Sequence, residues 1–422
     1  MVIVEFFSQI PIENMISALT NAPERVVFVG ESKRMKKYDP AFHRFLESVG
    51  NTTTQLEYRN VKIHELSEIV RVIEQIVMDY PGCHFDLTGG DDLSMTAIGI
   101  IYERYRNRGI ELHQYNIRTG AVYDCDLNGQ TVSGKIPSLT VEQNIILHGG
   151  SIVSDELREN GTYAWNFNDD FIRDVEIMWD ICRQDCGKWN YQISMLNNMM
   201  PFNCDNGSAL WMHVIISQVR EHFPKRGFSL KQKDIFKRLE KAGLISDFHC
   251  DNEDFCMTFK NEQVRKCLTK AGTILELMTY LAAQKVTGKE GAPYYTDAMT
   301  GVFIDWDGVV HDDDQNAEED IENRVVDTEN EIDVLLMHGA VPVFISCKNG
   351  KVGEEELYKL NTVAERFGSS YARKVLIGTT LGKKTESKRY FLQRAKDMNI
   401  QVIEGVQNMT DHEFIKKLKS LA

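Results

Sequence analysis

Two acidic residues and a lysine stand in two neighbouring apolar segments of the C-terminal half of the chain. Glu331 and Asp333 lie two residues apart in the first segment, and Ser346 and Lys348 lie two residues apart in the second. We predict that both segments are β-strands, in which side chains two residues apart share a face. Carboxylates hold a hard divalent cation that polarises a phosphoryl oxygen and activates water, and a lysine can orient that water or offset negative charge. The pattern therefore favours metal-dependent cleavage of a phosphodiester.

The spacing resembles the PD-(D/E)xK nuclease pattern with one departure. The acidic residue usually found two positions before the lysine is Ser346 here, so a further ligand must come from elsewhere. Glu276 is the candidate, because nucleases of this fold often begin with an apolar helix such as the one predicted over 272–281. We therefore predict that Glu276, Glu331 and Asp333 bind Mn²⁺ or Mg²⁺. The alternatives are a surface glutamate on a core helix and a row of exposed charges on edge strands.

The elements around this motif follow the order that a nuclease core requires, a helix and then a sheet. Hydrophobic periodicity predicts each of them. The prediction is a strand over 300–305, the two motif strands, a helix over 354–367, a strand over 374–378, a helix over 387–398 and a strand over 401–403. We therefore expect a nuclease domain over 266–422. The acidic run 312–320 is predicted to be a mobile loop before the catalytic strands.

The N-terminal part alternates strands and helices. The pattern predicts strands over 1–7, 25–29, 55–58 and 83–87, and helices over 12–20, 40–49, 63–79 and 93–107. Such alternation indicates an α/β domain, here over 1–160, with a parallel sheet covered by helices on both faces. Ligands of such sheets bind beyond the carboxyl ends of the strands.

Three of these strand ends carry groups suited to a phosphate. Glycines allow backbone N–H groups to approach an anion, and the N-terminus of a following helix adds a favourable dipole. An ordinary turn remains the alternative, since no GxGxxG fingerprint is present. The candidate ligand-binding residues are Ser8, Gln9, Ile10, Ser32, Thr88, Gly89, Gly90 and Asp91.

Composition limits the remaining possibilities. The chain has 422 residues, of which 42% are hydrophobic, and no run approaches the length of a membrane helix, so we expect a cytoplasmic protein of two or three domains. Nine cysteines without zinc-type spacing predict reduced thiols. The net charge of −14 argues against a broad basic surface for duplex DNA and limits any nucleic-acid contact to a local area.

A connector is expected over 161–265. Its segment 228–245 has the outline of a winged helix, with a helix, a glycine stop and a possible wing strand over 255–259. A structural connector and a DNA-reading module are both compatible with that outline. Three tryptophans are predicted to serve packing rather than base stacking: Trp165, Trp179 and Trp189.

Taken together, these motifs resemble the CRISPR-associated CARF-domain nucleases, in particular those of the Card/Can group. The resemblance rests on the Thr88-Gly89-Gly90 turn, the segments 139–143 and 148–150, the helix around Glu276 and the acid and lysine motif. It implies a CARF dimer that binds cyclic tetra-adenylate made by a type III CRISPR complex, and a nuclease domain that acts when this ligand is bound. It also adds His148, Gly149 and Gly150 to the ligand loops. Asp91 and Asp92 depart from the family, because acidic groups repel a polyanion.

The resulting expectation is a homodimeric, ligand-gated, metal-dependent nuclease. Its expected substrates are single-stranded or supercoiled DNA, RNA, or both. One alternative is a ligand-responsive transcriptional regulator that binds DNA through the winged helix and retains an inactive nuclease-like domain. Another is an enzyme that cleaves its own cyclic ligand in the N-terminal domain.

Overall fold

The computed structural model describes residues 1–158, 161–204, 210–222, 233–309, 328–381 and 386–421. Within this part of the chain there are two large β-sheets and one small one. None of the helices described is both long and apolar enough to cross a bilayer. All nine cysteines are free thiols, as predicted.

The first sheet is the predicted parallel α/β layer. Its strands are β1 (Val2–Phe6), β2 (Arg25–Gly30), β3 (Gln55–Asn60), β4 (His84–Asp86), β5 (Glu111–Asn116), β6 (Ala121–Asp126) and β7 (Gly129–Lys135). Their spatial order is β3-β2-β1-β4-β5-β6-β7, parallel as far as β5 and antiparallel beyond it. The central strands are apolar because helices cover both faces. Those helices are α1 (Pro11–Asn21), α2 (Ser32–Ser48), α3 (Leu66–Asp79) and α4 (Asp92–Tyr105).

Helix α2 is longer than the sequence predicted. The sequence analysis predicted this helix over 40–49, and proline is unfavourable further inside a helix because it lacks the backbone N–H group. In the structure Pro40 lies inside the helix, which begins at Ser32. Met35 is fully buried in the added turns and packs near Gly30, so tertiary packing outweighs the local cost of the proline.

The middle of the chain is a helical layer with a small three-stranded antiparallel sheet. The connection from the first sheet supplies α5 (Val141–Leu147) and β8 (Ser151–Ile152). The middle elements are α6 (Asp169–Gln184), α7 (Cys186–Met199), β9 (Trp211–Ile215), α8 (Ile216–His222), α9 (Asp234–Lys241), β10 (Ile245–Cys250), β11 (Asp254–Phe259) and α10 (Glu262–Cys267). The predicted glycine stop after α9 is present, since Gly243 has φ +75°. Residues 228–232 of the predicted winged helix lie outside the described residues.

The tryptophan predictions are confirmed for two residues. Trp179 and Trp189 are buried in the core of the middle layer. Trp165 is half-buried and stacks on Phe171, with ring centroids 5.4 Å apart.

The C-terminal elements follow the predicted order. They are α11 (Thr273–Gln284), β12 (Asp297–Asp305), β13 (Glu329–His338), β14 (Val341–Lys348), α12 (Glu355–Gly368), β15 (Arg373–Gly378), α13 (Glu386–Asp397), β16 (Ile400–Glu404) and α14 (Asp411–Lys419). The sheet order is β16-β15-β14-β13-β12-β8. The predicted mobile loop 312–320 lies outside the described residues.

The two large sheets are joined more closely than two independent domains would be. Strand β8, expected in the first domain, pairs with β12 of the second sheet through Ile152 and Ile304. One continuous apolar core contains residues of α1, α2, α5 and α12 and one face of the second sheet. Displacements at the first sheet can therefore reach α12 through packed side chains.

Candidate functional site

The motif strands separate where their charged residues begin. The residue pairing of β13 with β14 runs from His338–Val341 to Val334–Ile345 and stops there. Beyond it, Asp333 Oδ2 takes the place of a backbone acceptor: it receives hydrogen bonds from Cys347 N at 2.6 Å, Ser346 Oγ at 3.2 Å and Lys348 Nζ at 3.3 Å. Ser346 thus supports the carboxylate that it neighbours.

Helix α11 brings Glu276 to the same place. Glu276 and Asp333 are only 5% and 7% exposed, and carboxylate oxygens of Glu276, Glu331 and Asp333 all lie within 4.8 Å of one another. Burial, followed by the charge of Asp333, raises the pKa of Glu276 to about 8. Such crowding of carboxylates requires a proton or a cation. The three predicted metal ligands therefore converge, as the sequence analysis expected.

Two lysines supply positive charge beside these acids. Lys270 Nζ lies 2.5 Å from Glu331 Oε1 and 3.7 Å from Glu276 Oε1. Lys348 Nζ lies 3.3 Å from Asp333 and 3.2 Å from Glu356 Oε2. Burial alone would lower the pKa of Lys348, but Asp333 and Glu356 outweigh it and raise the pKa. Lys348 therefore keeps its proton at neutral pH.

Lys270 and Glu356 were missed by the sequence analysis. Lys270 lies before α11 and Glu356 lies in the first turn of α12, so neither belongs to the strand motif. Only the meeting of these helices with β13 and β14 reveals them.

Two pockets share Glu331 in their lining. One, of about 280 Å³, is lined by Glu331, Asp333, Lys348 and residues of α12. The other, of about 410 Å³, includes Glu331, Glu276 and Lys270. Its wall also carries Lys266 over the ring of Tyr163, next to Trp165. Cations with aromatic faces suit a single nucleic-acid strand.

The donor set fits a hard divalent cation. Its ligands are all carboxylate oxygens, which suit Mg²⁺ or Mn²⁺ rather than a soft metal. Asp333 Oδ1 makes no hydrogen bond within the described residues. It is therefore open for a metal.

The predicted ligand loops meet at the carboxyl edge of the first sheet. Strand β1 lies between β2 and β4, so the loops after these three strands are neighbours. From β1 the chain adds β2 and β3 on one side of β1, and it then crosses to add β4 and β5 on the other side. The strand order therefore reverses at β1, and α/β sheets typically bind ligands at such a switch point. Ser8–Ile10, Ser32 and Thr88–Asp91 all lie at this edge.

Gly89 and Gly90 serve close packing of this edge. A Cβ on Gly89 would lie 2.8 Å from the Phe6 carbonyl oxygen, and one on Gly90 would lie 2.6 Å from Phe6 Cβ. Gly90 also has φ +94°, which disfavours other residues. Both glycines let the loop after β4 lie against β1, so a side chain at Gly89 would disturb the fold as well as any ligand.

The polar ligand candidates have defined partners. Ser8 Oγ donates to Glu13 Oε2 at 2.6 Å, and Thr88 Oγ1 accepts from Tyr115 N at 2.8 Å. Ser32 N donates to Asn60 Oδ1 at 2.8 Å. Asp91 caps α4 by accepting from Ser94 N at 2.8 Å. Capping explains an acidic residue at this position without a ligand.

His148, Gly149 and Gly150 contact a different part of the molecule. The Gly149 carbonyl accepts from Arg44 Nη2 at 2.9 Å, and the His148 carbonyl accepts from Arg366. A Cβ on Gly150 would lie 2.6 Å from Phe367. Burial lowers the pKa of His148 to about 4, so its ring is neutral. These residues line the junction of α5 with α2 and α12.

Basic residues near the ligand edge were also missed. The first turns of α2, which lie before the predicted helix over 40–49, carry four exposed cations that the sequence analysis did not propose as ligand contacts: Lys33, Arg34, Lys36 and Lys37. They follow directly after the loop of β2. Their positive charge has the sign that attracts a polyanion, whereas the charges of Asp91 and Asp92 would repel one.

A hydrogen-bonded link leads from the ligand edge to the second sheet. Glu13 accepts from Ser8 through one carboxylate oxygen and from Tyr371 OH, at 2.9 Å, through the other. Tyr371 follows α12, whose first turn holds Glu356 against Lys348. Arg118 supports this link, donating to the Ser370 carbonyl at 2.9 Å. The two candidate sites are thus physically connected.

Comparison with solved structures reveals the same fold in two proteins. The chain matches protein VC1899 from Vibrio cholerae with a TM-score of 0.70 and 15% identity, over 99% of this chain and 97% of that one. It matches Can2 from Sulfobacillus thermosulfidooxidans, solved in complex with cyclic tetra-adenylate, with a TM-score of 0.65 and 17% identity, over 99% of both chains. No protein-family model and no curated protein sequence matches the chain. The likeness therefore concerns the fold.

Proposed function

We propose that this chain is a metal-dependent nuclease of type III CRISPR defence, gated by a cyclic oligoadenylate. The observation that carries the proposal is the convergence of Glu276, Glu331 and Asp333 within 4.8 Å, beside Lys348 at an open pocket. The order of helix and strands around this group agrees with a PD-(D/E)xK nuclease domain. The fold shared with Can2, whose structure contains cyclic tetra-adenylate, supports the choice of ligand class.

In this mechanism the three carboxylates would hold Mn²⁺ or Mg²⁺. The metal, when bound, supplies a water of lowered pKa and stabilises charge on the phosphoryl oxygens. Lys348 orients the attacking water and offsets the developing negative charge, since its raised pKa keeps it an ammonium. Glu356 and Asp333 fix the lysine from two sides. Ser346 and Cys347 N orient Asp333 through its Oδ2.

Lys270 would leave Glu331 when a metal binds. Its ammonium contacts two of the three proposed ligands, so it offsets their charge in the arrangement described. A divalent cation held by Glu276, Glu331 and Asp333 would supply that positive charge instead. Lys270, Lys266 and the aromatic wall of the second pocket then contact the substrate backbone and bases.

The N-terminal sheet would act as a CARF sensor. Ser8, Gln9, Thr88 and the backbone of the Gly89–Gly90 turn would face the ligand, and the cations of α2 would attract its phosphates. A cyclic tetranucleotide has twofold character, so we propose a homodimer in which equivalent loops contact both halves. The Ser8–Glu13–Tyr371 link would pass the change to α12 and Lys348.

One assay tests the whole proposal. The purified protein is incubated with Mn²⁺ and labelled single-stranded DNA, supercoiled DNA and RNA, with and without cyclic tetra-adenylate. We expect ligand-stimulated cleavage of at least one substrate. Ligand-dependent binding of DNA without cleavage of any substrate would contradict it and would favour the transcriptional regulator.

A further inference from the structure

Two histidines and a glutamate converge at the amino ends of β4 and β5, away from both sites described above. His84 Nδ1 lies 2.9 Å from His113 Nε2. Glu111 Oε2 lies 3.3 Å from the first nitrogen and 3.5 Å from the second. Three potential ligand atoms thus surround one point in space.

Strand pairing creates this arrangement. His84 and Glu111 are partners in the parallel ladder of β4 and β5. His113 follows Glu111 by two residues and therefore shares its face of the sheet. The next strand adds Asp124, which pairs with His113.

Asp124 determines which nitrogen of the His113 ring carries the proton. Its Oδ1 lies 2.8 Å from His113 Nδ1. An ionised carboxylate only accepts hydrogen bonds, so Nδ1 carries the proton and Nε2 presents its lone pair towards His84. Metal-binding histidines commonly have such a carboxylate behind the ring.

We propose that His84, Glu111 and His113 form a binding site for a divalent transition-metal ion, with Zn²⁺ as the ion that the ligands fit best. Tetrahedral zinc with ligands at about 2.0–2.1 Å places its ligand atoms roughly 3.3 Å apart. The separations of 2.9, 3.3 and 3.5 Å need shifts of only a few tenths of an ångström. Imidazole ligands distinguish this site from the all-carboxylate group, which suits Mg²⁺ or Mn²⁺.

The charge of the cluster and its exposure to solvent also suit a divalent metal ion. Glu111 and Asp124 together balance the two charges of the ion. The side chain of Glu111 is 59% exposed, so the ion has an entry path and water can complete the coordination. The bound ion would tie β4 to β5 and, through Asp124, to β6. Strand β4 has only three residues and leads directly to the Thr88–Gly90 turn, so the metal would brace the strand that carries this turn.

The test measures zinc bound to the full chain prepared without a histidine tag. Zn²⁺ is titrated against a competing chelator, and Co²⁺ is used as a spectroscopic substitute that reports nitrogen ligands. We expect one site in the wild type, lost in His84→Ala and His113→Ala and kept in His64→Ala, which changes an exposed histidine outside the cluster. Asp124→Asn should weaken zinc binding about 10- to 100-fold.

Two further variants test whether the zinc is held at this cluster. Glu111→Gln alters an exposed side chain and should weaken zinc binding while the far-UV circular dichroism stays unchanged. Asp333→Asn, in the acidic group of the second sheet, should bind zinc as the wild type does. Absence of stoichiometric zinc in the wild type, or equal affinity in His84→Ala and His64→Ala, would overturn the proposal.

Discussion

Carboxylates are buried in both large sheets, and their surroundings differ. In the first sheet Glu5 and Asp86 pair across β1 and β4 and are 0% and 1% exposed. Their hydrogen-bond donors are Ser17 Oγ and Thr88 N, and no cation pairs with them within the described residues. At the second sheet, Asp333 of β13 and Glu276 of the adjacent helix α11 face two lysines at the edge of open pockets.

We interpret the first pair as structural and the second as part of the proposed metal site. Burial, with the neighbouring Asp86, raises the pKa of Glu5 well above its usual range, and burial raises the pKa of Asp86 to about 7. Two buried carboxyl groups without a nearby cation, such as Glu5 and Asp86, reduce their negative charge by retaining a proton. Carboxylates that face lysines and solvent can exchange those cations for a metal. Burial alone therefore does not distinguish the proposed catalytic acids from a structural acid pair.

Loss of the proposed catalytic residues Asp333 and Lys348 should have the largest effect on cleavage. Asp333→Asn and Lys348→Ala should each reduce cleavage by more than about 100-fold, since removing even a supporting partner of a metal ligand costs 10- to 100-fold. Ligand binding, measured by calorimetry, should remain near wild type. Glu355→Gln, which removes an exposed carboxylate on α12 outside the pocket lining, is the matched control. Cleavage at the wild-type rate in either variant would refute the site.

Metal removal should abolish activity without unfolding the protein. We expect no cleavage in EDTA, recovery on adding Mn²⁺, and lower activity in Mg²⁺, because Mg²⁺ demands near-ideal octahedral geometry and Ser346 supplies no carboxylate. Rates at matched free metal concentrations provide the comparison. Undiminished cleavage in EDTA would exclude the mechanism.

Loss of the hydrogen-bonded link between Glu13 and Tyr371 should have an intermediate effect on ligand-stimulated cleavage. Tyr371→Phe removes the hydrogen bond to Glu13, so it should lower ligand stimulation while the rate without ligand stays the same. Allosteric coupling of about 1–3 kcal/mol corresponds to roughly 5- to 150-fold stimulation, and we expect a several-fold loss of it. Tyr358→Phe, on the exposed side of α12, is the control. Equal stimulation in all three proteins would disprove the link.

The buried pair of Glu5 and Asp86 should affect the free energy of unfolding rather than the cleavage rate. The folded-state pKa of Asp86, about 7, lies above its unfolded value near 4. The folded protein then holds a proton that the unfolded chain releases, so the free energy of unfolding should fall as pH rises from about 4 to 7. Asp86→Asn cannot ionise and should show a shallower fall, while Glu47→Gln, which alters an exposed carboxylate, should behave as wild type. Urea denaturation at pH 5 and pH 8 measures this, and equal slopes for wild type and Asp86→Asn would refute it.

Sequence periodicity predicted most elements because strand and helix patterns are local. The sequence also predicted that Glu276 lies beside Glu331 and Asp333, because the resemblance to nucleases implies that order of elements. It could not find Lys270 and Glu356, whose positions depend on how helices pack. Nor could it show that β8 joins the second sheet, since two residues carry no periodicity. Asp91 illustrates a further limit, because a helix cap and a ligand contact use the same residue types.

The most direct test of the difference between the two acid groups is anomalous diffraction from crystals soaked in Mn²⁺. We predict a manganese peak with carboxylate oxygens of Glu276, Glu331 and Asp333 at about 2.0–2.2 Å, Lys270 displaced, and no peak between Glu5 and Asp86. Crystals of Asp333→Asn should lack the peak. A protein that cleaves nucleic acid with manganese bound elsewhere, and none at these three carboxylates, would contradict the account.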